Sequence, residues 1–243
     1  FYPVYADYYG IPIQKIPLKS DWDIDCKTML EDSQHSGGMI FANPNAPTGI
    51  LLDVDKIEEM LAGFPKNRVM IVDEAYVDFA NQSVLPLLQK HKNLVIVRTF
   101  SKSFSFAGMR LGFCIAHPEL IETVTKVKNS FNHFPVDAFT QRAGQAVCKN
   151  WHYYSDIAKT IIHDRRQFSD VLAHKGWEVV PSSANFIMAK KLTGESGLHV
   201  YEYLKQKGFL VRYFDSPGTQ DYVRITIGTT DDMKKLADIM ISM

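Results

Sequence analysis

The chain has 243 residues, 27 basic and 27 acidic, with 46% hydrophobic and 22% charged positions, an ordinary globular composition that excludes a disordered or fibrous protein. Zero formal net charge leaves no basic field for nucleic acid or an anionic membrane, so small-molecule chemistry is the default. No apolar run approaches the ~18 residues of a membrane span, and no charged-then-apolar leader opens the chain.

The elements follow in chain order. Phe1 opens an aromatic-rich stretch in which Tyr2 and Tyr5 could offer flat faces to a ring, although core or subunit packing is the reading favoured for Tyr5. This opening reads as the middle of a domain, and the chain as a fragment. Ile11 to Pro17 alternates as a short strand, which its two prolines confine to an edge. A short helix is expected over Asp23 to Asp32, a break at Gly37-Gly38 and a strand over Met39 to Ala42. The run N-P-N-A-P-T-G, Asn43 to Gly49, follows; its prolines fix the backbone and Gly49 permits a sharp reversal. It is either the rigid rim of a site or a plain turn whose asparagines bond their own backbone. Asp53 to Ala62 has the acid and apolar spacing of an amphipathic helix. Val69 to Val72 is an apolar strand ending in Asp73-Glu74-Ala75-Tyr76. A third such strand, Leu94 to Val97, precedes T-F-S-K-S-F-S-F-A-G-M-R, Thr99 to Arg110.

Strand, helix, strand is the rhythm of a parallel βαβ sheet, and the strand Leu111 to Ala116 need not run parallel to the rest. Helices are expected over Glu119 to Lys128, Ala138 to Lys149 and Trp151 to His174, with Arg165-Arg166 on a solvated face of the last. From Gly176 the pattern changes. Strands Trp177 to Val180, Asn185 to Ala189, Phe209 to Tyr213 and Tyr222 to Ile227 alternate with helices Leu198 to Lys207 and Asp231 to Met243. The expected fold class is α/β: a mostly parallel sheet flanked by helices in residues 1–150, a linking helix in 151–175 and a smaller α+β domain in 176–243.

In open parallel sheets ligands bind outside the carboxyl ends of the strands, which places Asn43, Asp73 and Lys102 along one edge. Lys102 can present its amine there, while Ser101 and Arg110 supply the hydroxyl and fixed cation that a phosphate needs. An aldehyde cofactor carrying a phosphate would use all three, the amine through a Schiff base. Asp73 could pair with a protonated ring nitrogen, or simply cap a helix, and the Tyr76 hydroxyl could bond a ring oxygen. Arg212 and Arg224 stand among apolar strand neighbours, where burial is costly unless an anion meets them; exposure is the alternative. Three cysteines, Cys26, Cys114 and Cys148, share no metal-ligand spacing and fit a reducing compartment, so the cytoplasm is the expected location. Neither a phosphate-binding glycine loop nor a metal cluster is visible.

Taken in order, N-P-N-A-P-T-G, D-E-A-Y and S-K-S-F-S-F-A-G-M-R, with the later A-N-F at Ala184 to Phe186, V-R at Arg212 and V-R-I-T-I-G at Val223 to Gly228, resemble the fold-type I pyridoxal-phosphate aminotransferases, and among them the histidinol-phosphate branch. The resemblance runs through essentially the whole chain. It implies pyridoxal 5'-phosphate held by Lys102, which also shuttles a proton, with Asp73 at the pyridine nitrogen, Tyr76 at the phenolic oxygen, Ser101 and Arg110 at the phosphate and Tyr2 stacked on the ring. Arg212, Arg224 and Asn185 would meet the substrate. Histidinol phosphate as amino donor, 2-oxoglutarate as acceptor and a homodimer are the implied partners. An aromatic or broad-range aminotransferase, a threonine-phosphate decarboxylase and a non-catalytic aminotransferase-like module are the rivals.

Two departures stand out. The family's asparagine before Pro-Thr-Gly is Ala46 here, which leaves Asn43 or Asn45 to reach the phenolic oxygen. The family's N-terminal segment, with its phosphate-wrapping loop, is lacking; if the chain is complete, poor cofactor retention is expected.

Overall fold

The structure, a computed structural model, describes residues 2–243. After the helix α1 (Tyr2–Tyr8) the chain runs without regular structure to α2 (Cys26–Ser33), where the Asp25 carboxylate accepts from the Thr28 amide at 3.1 Å and so caps the first turn. The strands β1 (Gly38–Ala42), β2 (Val69–Asp73) and β3 (Leu94–Thr99) lie side by side and parallel, with α3 (Val54–Gly63) crossing between the first two. β4 (Gly112–Ala116) runs antiparallel to β3 and completes the order β1-β2-β3-β4. Phe100 donates its amide to the Leu111 carbonyl at 3.0 Å, so the Lys102 segment is the loop of a wide hairpin projecting from the carboxyl end of β3.

One face of this sheet is fully dry. Met70, Val72, Leu94 and Ile96 alternate inward and pack on Ile57, Met60 and Leu61 of α3. On the other face Ile40 is 37% exposed. The helices α4 (Pro118–Phe131), α5 (Ala138–Lys149) and α6 (Trp151–Ala173) follow, and α4 has no buried residue.

A second, wholly antiparallel sheet of order β5-β6-β8-β7 is built from β5 (Trp177–Val180), β6 (Phe186–Lys191), β7 (Arg212–Tyr213) and β8 (Val223–Thr226). α7 (Gly197–Gln206) and α8 (Thr230–Ile241) close a core in which Trp177, Ile187, Leu204, Val223 and Ile225 meet Phe168 and Leu172 of α6.

Three expectations need correction. Ile11 to Pro17 is not a strand, and no strand lies beside it among the described residues. β7 is only Arg212–Tyr213, because Phe209 donates its amide back to Leu204 and finishes α7 instead. Arg165 is not on a solvated face. It is 6% exposed, and its Nη1 donates to the Phe79 carbonyl at 3.2 Å and the Ala184 carbonyl at 2.5 Å, joining the two sheets' loops. Burial, followed by the charge of Arg166, pulls its pKa down to about 10.

Gly49 makes a second junction. Its carbonyl accepts from the Ser183 amide at 2.7 Å, its φ is +84°, and a Cβ there would lie 2.2 Å from Ser182 Oγ. Only glycine meets both demands.

Candidate active site

The carboxyl ends of the three parallel strands deliver the side chains that the sequence singled out. Asn43, just past β1, is 2% exposed; its amide donates to the Leu52 carbonyl at 3.0 Å and accepts from the Leu52 amide at 2.7 Å. Both ends of that side chain are spent on clamping the loop, so Asn43 is removed as a ligand. Asn45 keeps its place on the rim, half-buried, with Oδ1 taking the Thr48 hydroxyl at 3.0 Å.

At the end of β2 two adjacent acids part company, as the period of a strand requires. Glu74 turns inward, 2% exposed, and receives Arg98 Nε and Nη2 at 3.0 and 2.7 Å together with the Ser83 hydroxyl and the Val84 amide. Every contact of Glu74 is structural. Asp73, half-buried, stays at the edge. Its Oδ1 accepts from the Ala75 amide at 3.0 Å and its Oδ2 from the Tyr2 hydroxyl at 2.7 Å. Burial first, and then the bond and charge of Asp73, push the Tyr2 pKa up, so this hydroxyl is a permanent donor. The sequence placed Tyr2 over a ring; its hydroxyl bonds the acid that would pair with that ring. Tyr5, on the same helix, is 52% exposed and therefore not a core residue.

In the loop after β3, Lys102 is exposed and its Nζ lies 5.2 Å from the centre of the Tyr76 ring. It forms no ion pair among the described residues, so a free amine faces Tyr76. The loop under it is packed by Phe100 against Phe104, Phe106 and Phe113. Ser101 is half-buried, with its amide on Thr99 Oγ1 at 3.0 Å. Arg110 ends the loop in the left-handed region, φ +53°, exposed, donating Nη1 to the Ala107 carbonyl at 3.0 Å.

Tyr76 is the meeting point of the two sheets. Its ring stands edge-on to Phe186 of β6 at 5.1 Å. The Arg224 guanidinium lies 4.9 Å from the Phe186 ring centre and 5.4 Å from that of Phe214. Burial, chiefly, lowers its pKa; Tyr76 opposes the shift and Arg212 adds to it. Arg212 is directly across from Arg224 in the β7–β8 register, on the same face. Like charges in that position destabilise a sheet. Arg224 Nε is also buried with no hydrogen-bond partner among the described residues, and an orphan buried donor of this kind is the mark of a group awaiting an acceptor. Asn185 is half-buried just before β6, its carbonyl accepting from the Ile227 amide at 2.9 Å.

The arrangement brings Asp73, Tyr76 and Lys102 to one edge, with Arg224 of the second sheet near Tyr76 and Arg212 beside Arg224 in register. Such a donor set fits a phosphorylated aldehyde: among the described residues, an amine with no ion pair, a carboxylate with one oxygen held by a hydroxyl, and two guanidiniums with no carboxylate partner. The comparison with known families decides what the set belongs to. The profile of the family "Aminotransferase class I and II" matches residues 1–240.

The chain belongs to that family.

Among curated aminotransferases, a histidinol-phosphate aminotransferase of Syntrophus aciditrophicus is 45% identical over 239 residues, 98% of this chain and 66% of the relative. One of Aromatoleum aromaticum is 39% identical over 241 residues, 99% of this chain and 67% of the relative. The chain thus spans about two thirds of the length of the curated relatives it matches. Solved aminotransferases share the fold: that of Clostridium acetobutylicum at TM-score 0.91 and 23% identity, over 99% of this chain and 74% of that one. The Sinorhizobium meliloti histidinol-phosphate aminotransferase, solved in complex with pyridoxal-5'-phosphate, aligns at TM-score 0.87 and 21% identity, over 99% and 67% of the two chains. Both sheets of this aminotransferase chain lie within the aligned span.

Sequence reasoning missed Glu74 and Arg165. The first had no visible signal, because nothing local tells which of two neighbouring acids faces inward. The second had one: Ala158, Arg165, Phe168 and Leu172 are buried along one stripe of α6, and the arginine is in phase with it.

Proposed function

We propose that this aminotransferase transfers an amino group from histidinol phosphate to 2-oxoglutarate, with pyridoxal 5'-phosphate at the carboxyl edge of the first sheet. One observation carries the substrate choice: Arg212 and Arg224 face each other across β7 and β8, the second with an unsatisfied buried Nε, beside the Tyr76 ring that Lys102 overlies. A carboxylate needs a single guanidinium fork, whereas a dianionic phosphate uses two cations. The curated relatives named for histidinol phosphate support the same reading.

The cofactor, when bound, supplies an electron sink for the substrate carbon. The chain's residues do the rest. Lys102 anchors the aldehyde and, once displaced by the donor's amine, carries a proton at its Nζ. Asp73 offers a negative charge to the ring nitrogen, for which the Tyr2 hydroxyl must share or leave Oδ2. Tyr76 bonds the phenolic oxygen, joined by the amide of Asn45 in place of the missing asparagine at Ala46. Ser101 and Arg110 hold the phosphate, and Asn185 orients the substrate beside the arginine pair. A homodimer is the assembly that this reading carries.

Turnover of histidinol phosphate and of phenylalanine, each with 2-oxoglutarate, tests the proposal. The phosphate ester is expected to be preferred, and Arg212→Ala or Arg224→Ala to raise its KM by roughly tenfold to a hundredfold, the loss of one or two charge-assisted bonds. Phosphate-ester turnover that survives both changes contradicts the two-cation argument.

A further inference from the structure

An exposed lysine on a four-carbon stem is not aimed by packing, so the backbone beneath it has to be fixed. The Lys102 loop is fixed in an unusual way. Ser103, the next residue, is 6% exposed and donates its hydroxyl to Asp78 Oδ2, across to the loop that follows β2. Lys102 itself lies over Tyr76, two positions before Asp78. Two consecutive residues of one loop therefore grip two nearby residues of the other. The acceptor side is rigid. Asp78 sits in a single 3-10 turn, Val77–Phe79, where the Phe79 amide bonds the Tyr76 carbonyl at 3.1 Å, and the Phe79 carbonyl is in turn held by buried Arg165. Within the Lys102 loop the backbone hydrogen bonds are internal, Ser105 N to Lys102 O at 3.1 Å and Phe106 N to Phe100 O at 3.1 Å, and Phe104 packs edge-on against Tyr154 of α6 at 5.5 Å. Ser103 thus ties the lysine turn to the strand end that carries Asp73.

We propose that Asp78 and Ser103 are positioning residues that hold the Lys102 amine over Tyr76, beside the strand end that carries Asp73, and so set how readily that amine captures the aldehyde of pyridoxal 5'-phosphate. The inference rests on the cofactor reading above. In the capture step the C–N bond forms as water leaves, with no change in oxidation state. Asp78 is exposed and, among the described residues, makes no ion pair with Arg212 or Arg224, so it acts through Ser103.

The test measures the rate at which Lys102 becomes modified. Wild type, Ser103→Ala, Asp78→Ala and Asp78→Asn are incubated with pyridoxal 5'-phosphate and trapped with borohydride. The Lys102 peptide is then followed over time by mass spectrometry, with thermal unfolding measured alongside. Ser103→Ala and Asp78→Ala are expected to slow labelling of Lys102 by roughly tenfold or more, the loss of one bond to a charged group, while labelling of surface lysines is unchanged. Asp78→Asn, which keeps an acceptor, stays close to wild type. If Ser103→Ala does not fold, the exposed Asp78→Ala carries the same comparison. Equal Lys102 rates in all variants, or a slowing shared by every lysine, overturns the positioning role and leaves the cofactor reading standing. Wild-type labelling no faster at Lys102 than at surface lysines overturns both.

Discussion

Arg224 shows at the scale of a single residue how the proposed site would be made at the expense of the fold. Its guanidinium lies close to the rings of both Phe186 and Phe214, its Nε has no acceptor among the described residues, and its cross-strand partner in register is another arginine. An uncompensated charge in such a place weakens the native state, and an apolar residue of similar length relieves it. Arg224→Met is therefore expected to raise unfolding stability by about 1 kcal/mol in urea denaturation, in the same variant that loses affinity for the phosphate ester. A destabilisation of similar size would show that Arg224 holds the sheet together and was not placed there for a ligand. The apolar neighbours Val223 and Ile225 made this arginine legible in the sequence. Its pairing with Arg212 was not, since register across the nine-residue loop 214–222 is fixed by contacts that no local pattern encodes. The asparagines give the opposite case: both readings of the Asn43 loop were open, and the structure divides them, with Asn43 in the turn and Asn45 on the rim.

Among the elements, the runs with a single strong period were read closely. β2 and β3 announced themselves as short apolar stretches, and α5 was bounded at the same residues by its pattern. Ile11 to Pro17 has a strand's alternation, but alternation needs a neighbour to pair with, and none lies beside it among the described residues. Gly49 links the loop after β1 to the start of the second sheet, and its requirement is twofold: a left-handed φ and space that Ser182 Oγ already occupies. Ser182 cannot swing aside cheaply, because its hydroxyl donates to the Phe186 carbonyl at 2.5 Å and accepts from the Ala184 amide at 3.1 Å. Gly49→Ala is expected to cost roughly 1–3 kcal/mol of stability, and addition of Ser182→Ala to recover only the steric part. Chemical denaturation of the single and double variants measures both, and a neutral Gly49→Ala would remove this junction from the account.

Across the whole molecule, two sheets with separate cores are joined by a small apolar cluster, in which Trp22 and Ile50 pack with Val180, Met188 and Tyr222, and by a few pins at the edge where the candidate site lies. Arg165 reaches the carbonyls of Phe79 and Ala184, Ser183 bonds Gly49, and Tyr76 meets Phe186. The same small set of contacts decides where the arginine pair stands relative to Lys102. Chain order and motif spacing told which residues belong to one edge; the pins between the sheets join positions far apart along the chain and were invisible to any window of sequence. The proposed function depends on Lys102 as the anchor of the cofactor. The direct measurement is the visible absorbance that develops when the chain is mixed with pyridoxal 5'-phosphate, compared between wild type and Lys102→Ala. A band is expected in the wild type and absent from the variant, with folding unchanged; a band of equal strength in Lys102→Ala would contradict the assignment of Lys102 as the anchor.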